Sequence, residues 1–529
     1  GQVHRGGELD VRTFLFRDNR AGRRAGADLV VHAAAGSDPR AFSVEVSADG
    51  ATFLRLPPAQ AAGSRFEYDL GTAGADGTSI LFEESPIDDA FAPRVRHGAG
   101  FRVVDVDRDG DSDVVLASSL SDGLLLYRNG GGGRTWTRSW IAAEGSIVAT
   151  DAAVADLDGD GDLDVAVCRL WDRATAGSGT GQVVWFENPG TVDGAWAMRP
   201  VTPATFWGPF VLEASDVTGD GRPDLVVGCA GLTDAQGQAR GNGLWWIRND
   251  GAGAWSPPVA IDAALANVRN LVAWDVDGNG VADVAAAGVD SNEVVWYASG
   301  RTPGVANDRP AFARLPIAGL ERPYGLCRLG GGLAASHGPA GRLLWLQPGP
   351  DVRAPWTQVV LDEGLGESVR MASADFDLDG TSDLVAGSQL SGRIVAWLAR
   401  PGRTPAWAMQ DVRGGYTGLL WLGAGDVSGD GRPDLVTTTY ENAPGPVDRV
   451  DWWRTAVLGD VAAVRVTNRS VQGGIGGIAI DGVEALATVP VAGRNWFGVE
   501  VRTIGGVVLL ADADVEAVAA AADTDGDLV

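Results

Sequence analysis

The sequence predicts an all-β chain built around a seven-bladed propeller with calcium loops in six blades, and three observations predict it. An acidic loop, typified by Asp156-Leu157-Asp158-Gly159-Asp160-Gly161-Asp162-Leu163-Asp164, recurs six times. The copies begin at Asp105, Asp156, Asp216, Asp275, Asp375 and Asp426, spacings of 51, 60, 59, 100 and 51 residues, and self-similarity near such a period marks a propeller or a similar array. Each loop is followed by a short apolar run and two runs marked by aromatic residues. With the run leading into the loop, that makes four strands per unit, the content of a blade.

The loop reads as a calcium site. A hard cation takes about six to eight oxygens, and alternating carboxylates with one backbone carbonyl can converge on it if the chain turns sharply. Position 1 is Asp105, Asp156, Asp216, Asp275, Asp375 or Asp426; position 3 is Asp107, Asp158, Thr218, Asp277, Asp377 or Ser428. Position 5 is Asp109, Asp160, Asp220, Asn279, Asp379 or Asp430, and position 9 is always aspartate: Asp113, Asp164, Asp224, Asp283, Asp383 and Asp434. Position 6 is always glycine, which permits the sharp turn. Position 7 varies freely (Asp111, Asp162, Arg222, Val281, Thr381, Arg432), as expected where only a backbone carbonyl is donated. Aspartate and glycine are also ordinary turn residues, but a solvated turn gives no reason for six copies to share the same fixed and free positions. Thr218 and Ser428 in place of carboxylates predict weaker sites at 216 and 426 than at 105, 156 and 375. Because each loop supplies its own oxygens, calcium is expected to be structural, with about six ions in all.

Apolar residues at positions 2 and 10 make each loop a connector between strands that enter a core. The aromatic-bearing strands are Leu126-Tyr127, Val184-Trp185-Phe186, Trp245-Trp246, Val295-Trp296-Tyr297, Leu344-Trp345, Ala396-Trp397 and Trp452-Trp453; the outer ones are marked by Trp136, Trp196, Trp255, Phe312, Trp356 and Trp407. The 100-residue gap holds a further repeat, around Tyr324-Gly325-Leu326-Cys327 and Leu333-Ala334-Ala335-Ser336, predicted to carry no metal. Blade seven shows three strands before residue 457, so its fourth is expected from Phe91–Val95, closing the ring with both ends of the chain.

Composition narrows the partners. The chain has 529 residues, a net charge of −27 and no lysine, and no basic cluster suited to a nucleic-acid backbone. No apolar run approaches the length of a membrane span, and the chain opens without a signal-like stretch. Cys168, Cys229 and Cys327 are odd in number and sit in separate apolar repeats, so buried free thiols are expected. Calcium loops of this kind suit millimolar extracellular calcium, so the expected location is secreted or at the cell surface.

Over residues 96–457 these repeats resemble the FG-GAP or VCBS repeats of integrin alpha-subunit heads and of many secreted bacterial proteins; Val184-Trp185-Phe186-Glu187-Asn188-Pro189-Gly190 is similar to the bacterial form. The resemblance implies a seven-bladed propeller with calcium loops between the first and second strands of a blade, and partners bound on the opposite face. Residues 1–95 and 458–510 alternate as strands: Val11–Phe16, Asp28–His32, Phe42–Ser47, Phe53–Leu56, Phe66–Leu70, Val461–Thr467 and Gly477–Val483, with Asp49-Gly50 as a hairpin turn. Ser43–Gly50 and Ile478–Asp481 resemble parts of a bacterial jelly-roll module, so one β-sandwich split by the inserted propeller is expected, beside the alternative of two independent modules. Residues 511–529 read as a linker and, at Asp523–Leu528, resemble the opening of a thrombospondin type 3 calcium repeat.

Variable connections on a rigid scaffold are where binding is placed. On the face opposite the loops the candidates are Trp171, Asp172, Trp207, Phe210, Arg269, Arg322, Tyr324, His337, Tyr416, Tyr440 and Glu441; aromatic residues beside arginine and carboxylate suit a sugar or a protein hot spot. The four histidines are scattered and no nucleophile or catalytic-metal signature joins them. The function read is binding or adhesion to an extracellular glycan or protein; the alternatives are a polysaccharide lyase or hydrolase on a propeller scaffold, or a self-assembling structural subunit.

Overall fold

The computed structural model describes residues 79–88, residues 98–458 apart from 119–122, 144, 170–179, 192, 234–238, 301–310, 339–340, 367–368, 401–406, 417 and 440–448, and the short terminal strands named below. Every regular element described is a strand.

Seven antiparallel sheets make a seven-bladed β-propeller. Blade one runs Gly98–Val104, Asp113–Ser118, Gly123–Asn129 and Trp136–Ala142; blade two Ala149–Ala155, Asp164–Arg169, Thr180–Glu187 and Ala197–Pro200. Blade three is Pro209–Ser215, Asp224–Thr233, Ala239–Ile247 and Val259–Asp262; blade four Val268–Trp274, Asp283–Gly288, Glu293–Gly300 and Ala311–Gly319. Blade five is Leu326–Leu329, Gly332–His337, Arg342–Gln347 and Thr357–Asp362; blade six Val369–Ala374, Asp383–Ser388, Ile394–Ala399 and Trp407–Arg413. The first strands of successive blades are neighbours all the way round, and that of blade seven, Leu419–Gly425, neighbours that of blade one.

Blade seven continues with Asp434–Thr439 and Val450–Leu458, and its outermost strand is Ser79–Asp88. The N-terminal side of the chain thus closes the ring, but through Ser79–Asp88 in place of the expected Phe91–Val95, which lies outside the described residues. The physical reason is alternation: Ile80 and Phe82 point into the core, as a strand covered on one face requires, and the outermost place in the sheet tolerates Pro86.

The third strand of each blade carries the aromatic core expected of it. Tyr127, Trp185, Trp296, Tyr297, Trp397 and Trp453 are all fully buried, and the cores are shared between adjacent blades: Trp185 packs with Leu212 and Leu225 of blade three, and Leu126 with Val165 and Val184 of blade two. Cys168 and Cys229 are buried free thiols, while Cys327, on the innermost strand of blade five, is only half-buried.

Strands from the two ends of the chain pair in two further sheets. One orders Asp10–Leu15, Ala463–Asn468, Phe42–Ser47 and Leu54–Leu56, with Val11 opposite Thr467 and Val44 opposite Val466. The other orders Val508–Ala511, Val499–Arg502, Ile475–Ile480, Leu29–Ala33, Arg65–Tyr68 and Gln60–Ala62. Asp49-Gly50 and Asp523–Leu528 lie outside the described residues. By proximity the chain groups into two compact units, residues 86–394 with 415–452 and residues 1–85 with 395–414 and 453–529.

Candidate metal centres and the opposite mouth

All six acidic loops join the first strand of a blade to the second, and they share one hydrogen-bond scheme. The position-1 carboxylate accepts the position-6 amide in every copy: Gly110 to Asp105 (3.0 Å), Gly161 to Asp156 (3.1 Å), Gly221 to Asp216 (2.7 Å), Gly280 to Asp275 (2.8 Å), Gly380 to Asp375 (2.9 Å) and Gly431 to Asp426 (2.8 Å). The position-5 side chain accepts the position-7 amide, as from Asp162 to Asp160 at 3.0 Å and from Val281 to Asn279 at 2.9 Å. Position 6 has φ between +83° and +101°, the left-handed region where only glycine is at ease. Position 4 is left-handed as well, at Arg108, Gly159, Gly219, Gly278, Leu378 and Gly429. The sequence carries a signal for it, since four of those six residues are glycine, but two exceptions hide it.

The invariant position-9 aspartate does more than complete a ligand set. Asp113, Asp164, Asp224, Asp283, Asp383 and Asp434 are fully buried. One oxygen accepts the amide at the loop's start, from Val106, Leu157, Val276, Phe376 and Val427 at 2.9–3.1 Å. The other accepts the amide that ends the third strand: Asn129 to Asp113 (2.8 Å), Asn188 to Asp164 (2.8 Å), Asn249 to Asp224 (2.9 Å) and Ser299 to Asp283 (2.7 Å).

In blades one, three and four that strand-ending residue then reaches across to the preceding blade. The Asn129 side chain donates to the Val427 carbonyl (2.7 Å), Asn249 to Leu157 (2.7 Å) and Ser299 to Val217 (3.2 Å). In blade seven the position-7 side chain makes the same reach, from Arg432 to the Phe376 carbonyl (3.2 Å). Each acceptor is position 2 of the neighbouring loop. Asn188 of blade two instead donates to Leu163 of its own loop (3.1 Å). Ser112 and Ala282 add backbone bonds to the carbonyls of Asp426 (3.0 Å) and Asp216 (3.2 Å), and Arg353 of blade five pairs with Asp277 in the loop of blade four (2.7 Å).

The residues fit a cation. Three carboxylates converge within 4.8 Å at Asp105/Asp107/Asp113, Asp156/Asp158/Asp164, Asp275/Asp277/Asp283 and Asp375/Asp377/Asp383; at the other two loops Thr218 and Ser428 take the third place. Asp277 Oδ1 and Ser428 Oγ, both at position 3, are buried oxygens without a hydrogen-bond partner, a costly state that a bound cation relieves. Burial pushes the carboxyls of Asp113 and Asp164 up to about 7 and those of Asp224 and Asp283 up to about 6; a divalent charge at the centre is what would hold them ionised. An all-oxygen donor set is the chemistry calcium takes. In blade five the corresponding connection is the turn at Gly330-Gly331, with no carboxylate to offer.

The first strand of each blade runs towards its loop, so the start of that strand lies at the opposite end of the propeller. There the register slips by one residue in blades one, two, three, four and seven, leaving Phe210 and Arg269 as the extra residues in blades three and four. Such bulges re-aim side chains. The Arg269 guanidinium lies over the Phe210 ring (4.1 Å) and its Nε donates to Asn267 (2.6 Å); Arg370 lies over Trp421 (4.6 Å) and donates to the Leu420 carbonyl (2.8 Å). From blades one, two and three, Arg102 pairs with Asp151 (3.2 Å) and Glu213 (3.6 Å). Phe210 and Arg269 are among the sequence candidates, whereas Arg102, Asp151, Glu213, Arg370 and Trp421 are concealed because they come from five different blades.

Of the candidates on this face, Arg322 stacks on Tyr324 and bonds its hydroxyl, Trp207 sits half-buried on a short strand beside Thr180, and His337 ends the second strand of blade five opposite Arg342. Trp171, Asp172, Tyr440 and Glu441 lie outside the described residues. Tyr416 is corrected: it is 3% exposed, its hydroxyl donating to Asp451 (2.5 Å) and lying 2.8 Å from Thr437 Oγ1, with Arg449 bonded to the same Asp451 (2.8 Å). It is a core residue, drawn inward because its hydroxyl finds partners there. Tyr416→Phe is expected to cost about 1–3 kcal/mol by leaving a buried acceptor short of a donor, read as a lower denaturant midpoint, and to leave ligand binding unchanged.

Fold and loops together define a seven-bladed propeller built from acidic-loop repeats. The family model for FG-GAP-like repeats matches residues 105–167 and 375–437, two stretches of the propeller that each begin at an acidic loop. No curated protein matches it. Among solved structures, it is similar to BBS1N in complex with ARL6DN (11% identity, 70% of this chain and 96% of that one, TM-score 0.45). It is also similar to a putative oxidoreductase (glucose dehydrogenase) from Thermus thermophilus (14% identity, 70% and 100%, TM-score 0.35).

Proposed function

We propose that this chain is a secreted or cell-surface binding and adhesion protein whose propeller is stabilised by about six calcium ions and which recognises a glycan or protein on the face opposite the calcium loops. The supporting observation is the chemical division of the propeller's two ends. One end spends its carboxylates on six acidic loops, four of which bring three carboxylates to a point and two of which hold a buried position-3 oxygen without a partner, Asp277 Oδ1 and Ser428 Oγ; the other brings guanidinium groups and aromatic rings together at the starts of the innermost strands. Calcium is structural in this reading because the loop residues themselves fill its coordination sphere. The terminal strands that pair in common sheets form a single β-sandwich split in sequence. The test is incubation in calcium with polysaccharides and cell-wall fractions, followed on a sizing column. Co-elution with intact polymer supports binding; shortened polymer would replace it with a lyase or hydrolase, and chain ladders in electron micrographs with self-assembly.

A further inference from the structure

We infer that Arg269 and Arg370 form a seat for the carboxylate of an acidic sugar at the channel mouth opposite the calcium loops. The inference deepens the binding function proposed above and rests on it. Arg102 is itself neutralised, since it lies between Asp151 and Glu213, which leave one negative charge over, and it also donates to the Leu212 carbonyl (3.0 Å). Arg269 and Arg370 are different. Each has its guanidinium fixed, by Phe210 and Asn267 in one case and by Trp421 and the Leu420 carbonyl in the other, and neither lies within ion-pair distance of a described carboxylate. Both use Nε for the fixing bond, and among the described residues no hydrogen bond engages their terminal amino groups. A ring face beneath a guanidinium holds its plane while leaving the N–H edge to a ligand.

The two groups sense each other. Burial and the neighbouring Arg269 charge bring Arg370 down to about 10, and burial lowers Arg269 as well. Each is a desolvated positive charge at the start of an inner strand, only partly offset by the more distant Asp290 for Arg269 and Asp151 for Arg370; an anion relieves it, and a planar carboxylate matches the guanidinium fork in two parallel bonds. Tyr324, just before the first strand of blade five, and the Asn267 side chain, bonded to Arg269, add hydroxyl and amide groups at the same mouth. Those suit the hydroxyls of a sugar that carries the acid. The bulge that makes Arg269 the extra residue of its strand is the local device that aims it.

The test uses the full chain in calcium and calorimetric titration with hyaluronate, alginate and polygalacturonate, each beside its carboxyl-reduced, neutral counterpart, and with polyglutamate. The expected result is binding to at least one acidic polysaccharide that falls at least tenfold on carboxyl reduction, weakens with added salt, and falls at least tenfold in Arg269→Gln and in Arg370→Gln. Arg199→Gln, on the exposed outer strand of blade two, is expected to bind as the parent does. Melting curves confirm folding, and Arg370→Lys, which keeps the charge without the fork, is expected to lie between parent and Gln. Equal binding to acidic and reduced polymers would overturn the carboxylate seat while leaving glycan binding standing. Binding to polyglutamate alone would replace the sugar with an acidic peptide. Undiminished binding by both folded Gln variants would move the site elsewhere, and no binding to any polymer would remove both the seat and the glycan function.

Discussion

A chelator is expected to lower the melting midpoint of this chain sharply, and added calcium to restore it. A cation that binds only the native state stabilises it by mass action, about 2.7 kcal/mol per site at a hundredfold excess over the dissociation constant. Six loops share the geometry, and four bring three carboxylates to a point, so the combined effect dominates anything a single side chain contributes. Magnesium is expected to substitute poorly, because it demands a tighter octahedral shell and gives up water reluctantly. The measurement is a melting curve with and without chelator, with titration calorimetry to rank the sites. A midpoint indifferent to chelator would show that the loops stand as ordinary turns. Equal affinity at all six would contradict the weaker sites expected where Thr218 and Ser428 replace carboxylates.

The second large effect separates scaffold from ligand within one loop. Asp158 and Asp164 both belong to the blade-two triad, but Asp158 accepts only the amide of Asp160 (3.1 Å) at an exposed turn. Asp164 holds the buried amides of Leu157 and Asn188. Asp158→Ala is therefore expected to lose stability only while calcium is present and to match the parent once chelator is added. Asp164→Ala leaves two buried donors unpaired, at about 1–3 kcal/mol each, and is expected to remain destabilised in chelator by the order of 2–6 kcal/mol. Denaturant midpoints of both variants, each with and without calcium, decide the matter. Equal behaviour of the two in chelator would mean that position 9 is a ligand and nothing more.

Position 9 also shows how far the sequence can be read. Its invariance is plain across the six copies, as is the freedom of position 7, and together with the aromatic strands they specify blade number, strand order and the place of each loop. The second role of the aspartate is not legible, since its partners are backbone amides, which carry no signature. The closing strand is easily set too late in the chain, because Pro86 interrupts the apolar alternation of Ser79–Asp88, while Phe91 to Val95 reads locally as a strand. Tyr416 looks like a surface residue because an aromatic side chain in a connection reads alike whether its hydroxyl faces water or Asp451. The arginines of the channel mouth become a cluster only when the ring brings together residues from separate blades.

The reach of Asn129, Asn249, Ser299 and Arg432 to the loop of the preceding blade fastens metal loops to one another as links are fastened. One run of links joins blades six, seven and one. Another joins two, three and four, and Arg353 extends it to blade five. Between blades one and two Asn188 stays on its own loop, and the link is made instead by Arg128 of blade one, which lies 4.0 Å from Asp107 of its own loop and donates to Asp193 of blade two (3.1 Å); in blade five a glycine turn stands where the other blades have a metal loop. The sheets form a closed circle, and the links run from blade six through seven, one, two, three and four to blade five, where the metal loop is missing. Amide exchange at the loop ends of the inner strands is expected to be faster at the border of blades five and six than between blades three and four, and the reverse order would contradict this. A propeller fastened in this way has its seam where the repeat without a metal loop meets its neighbour.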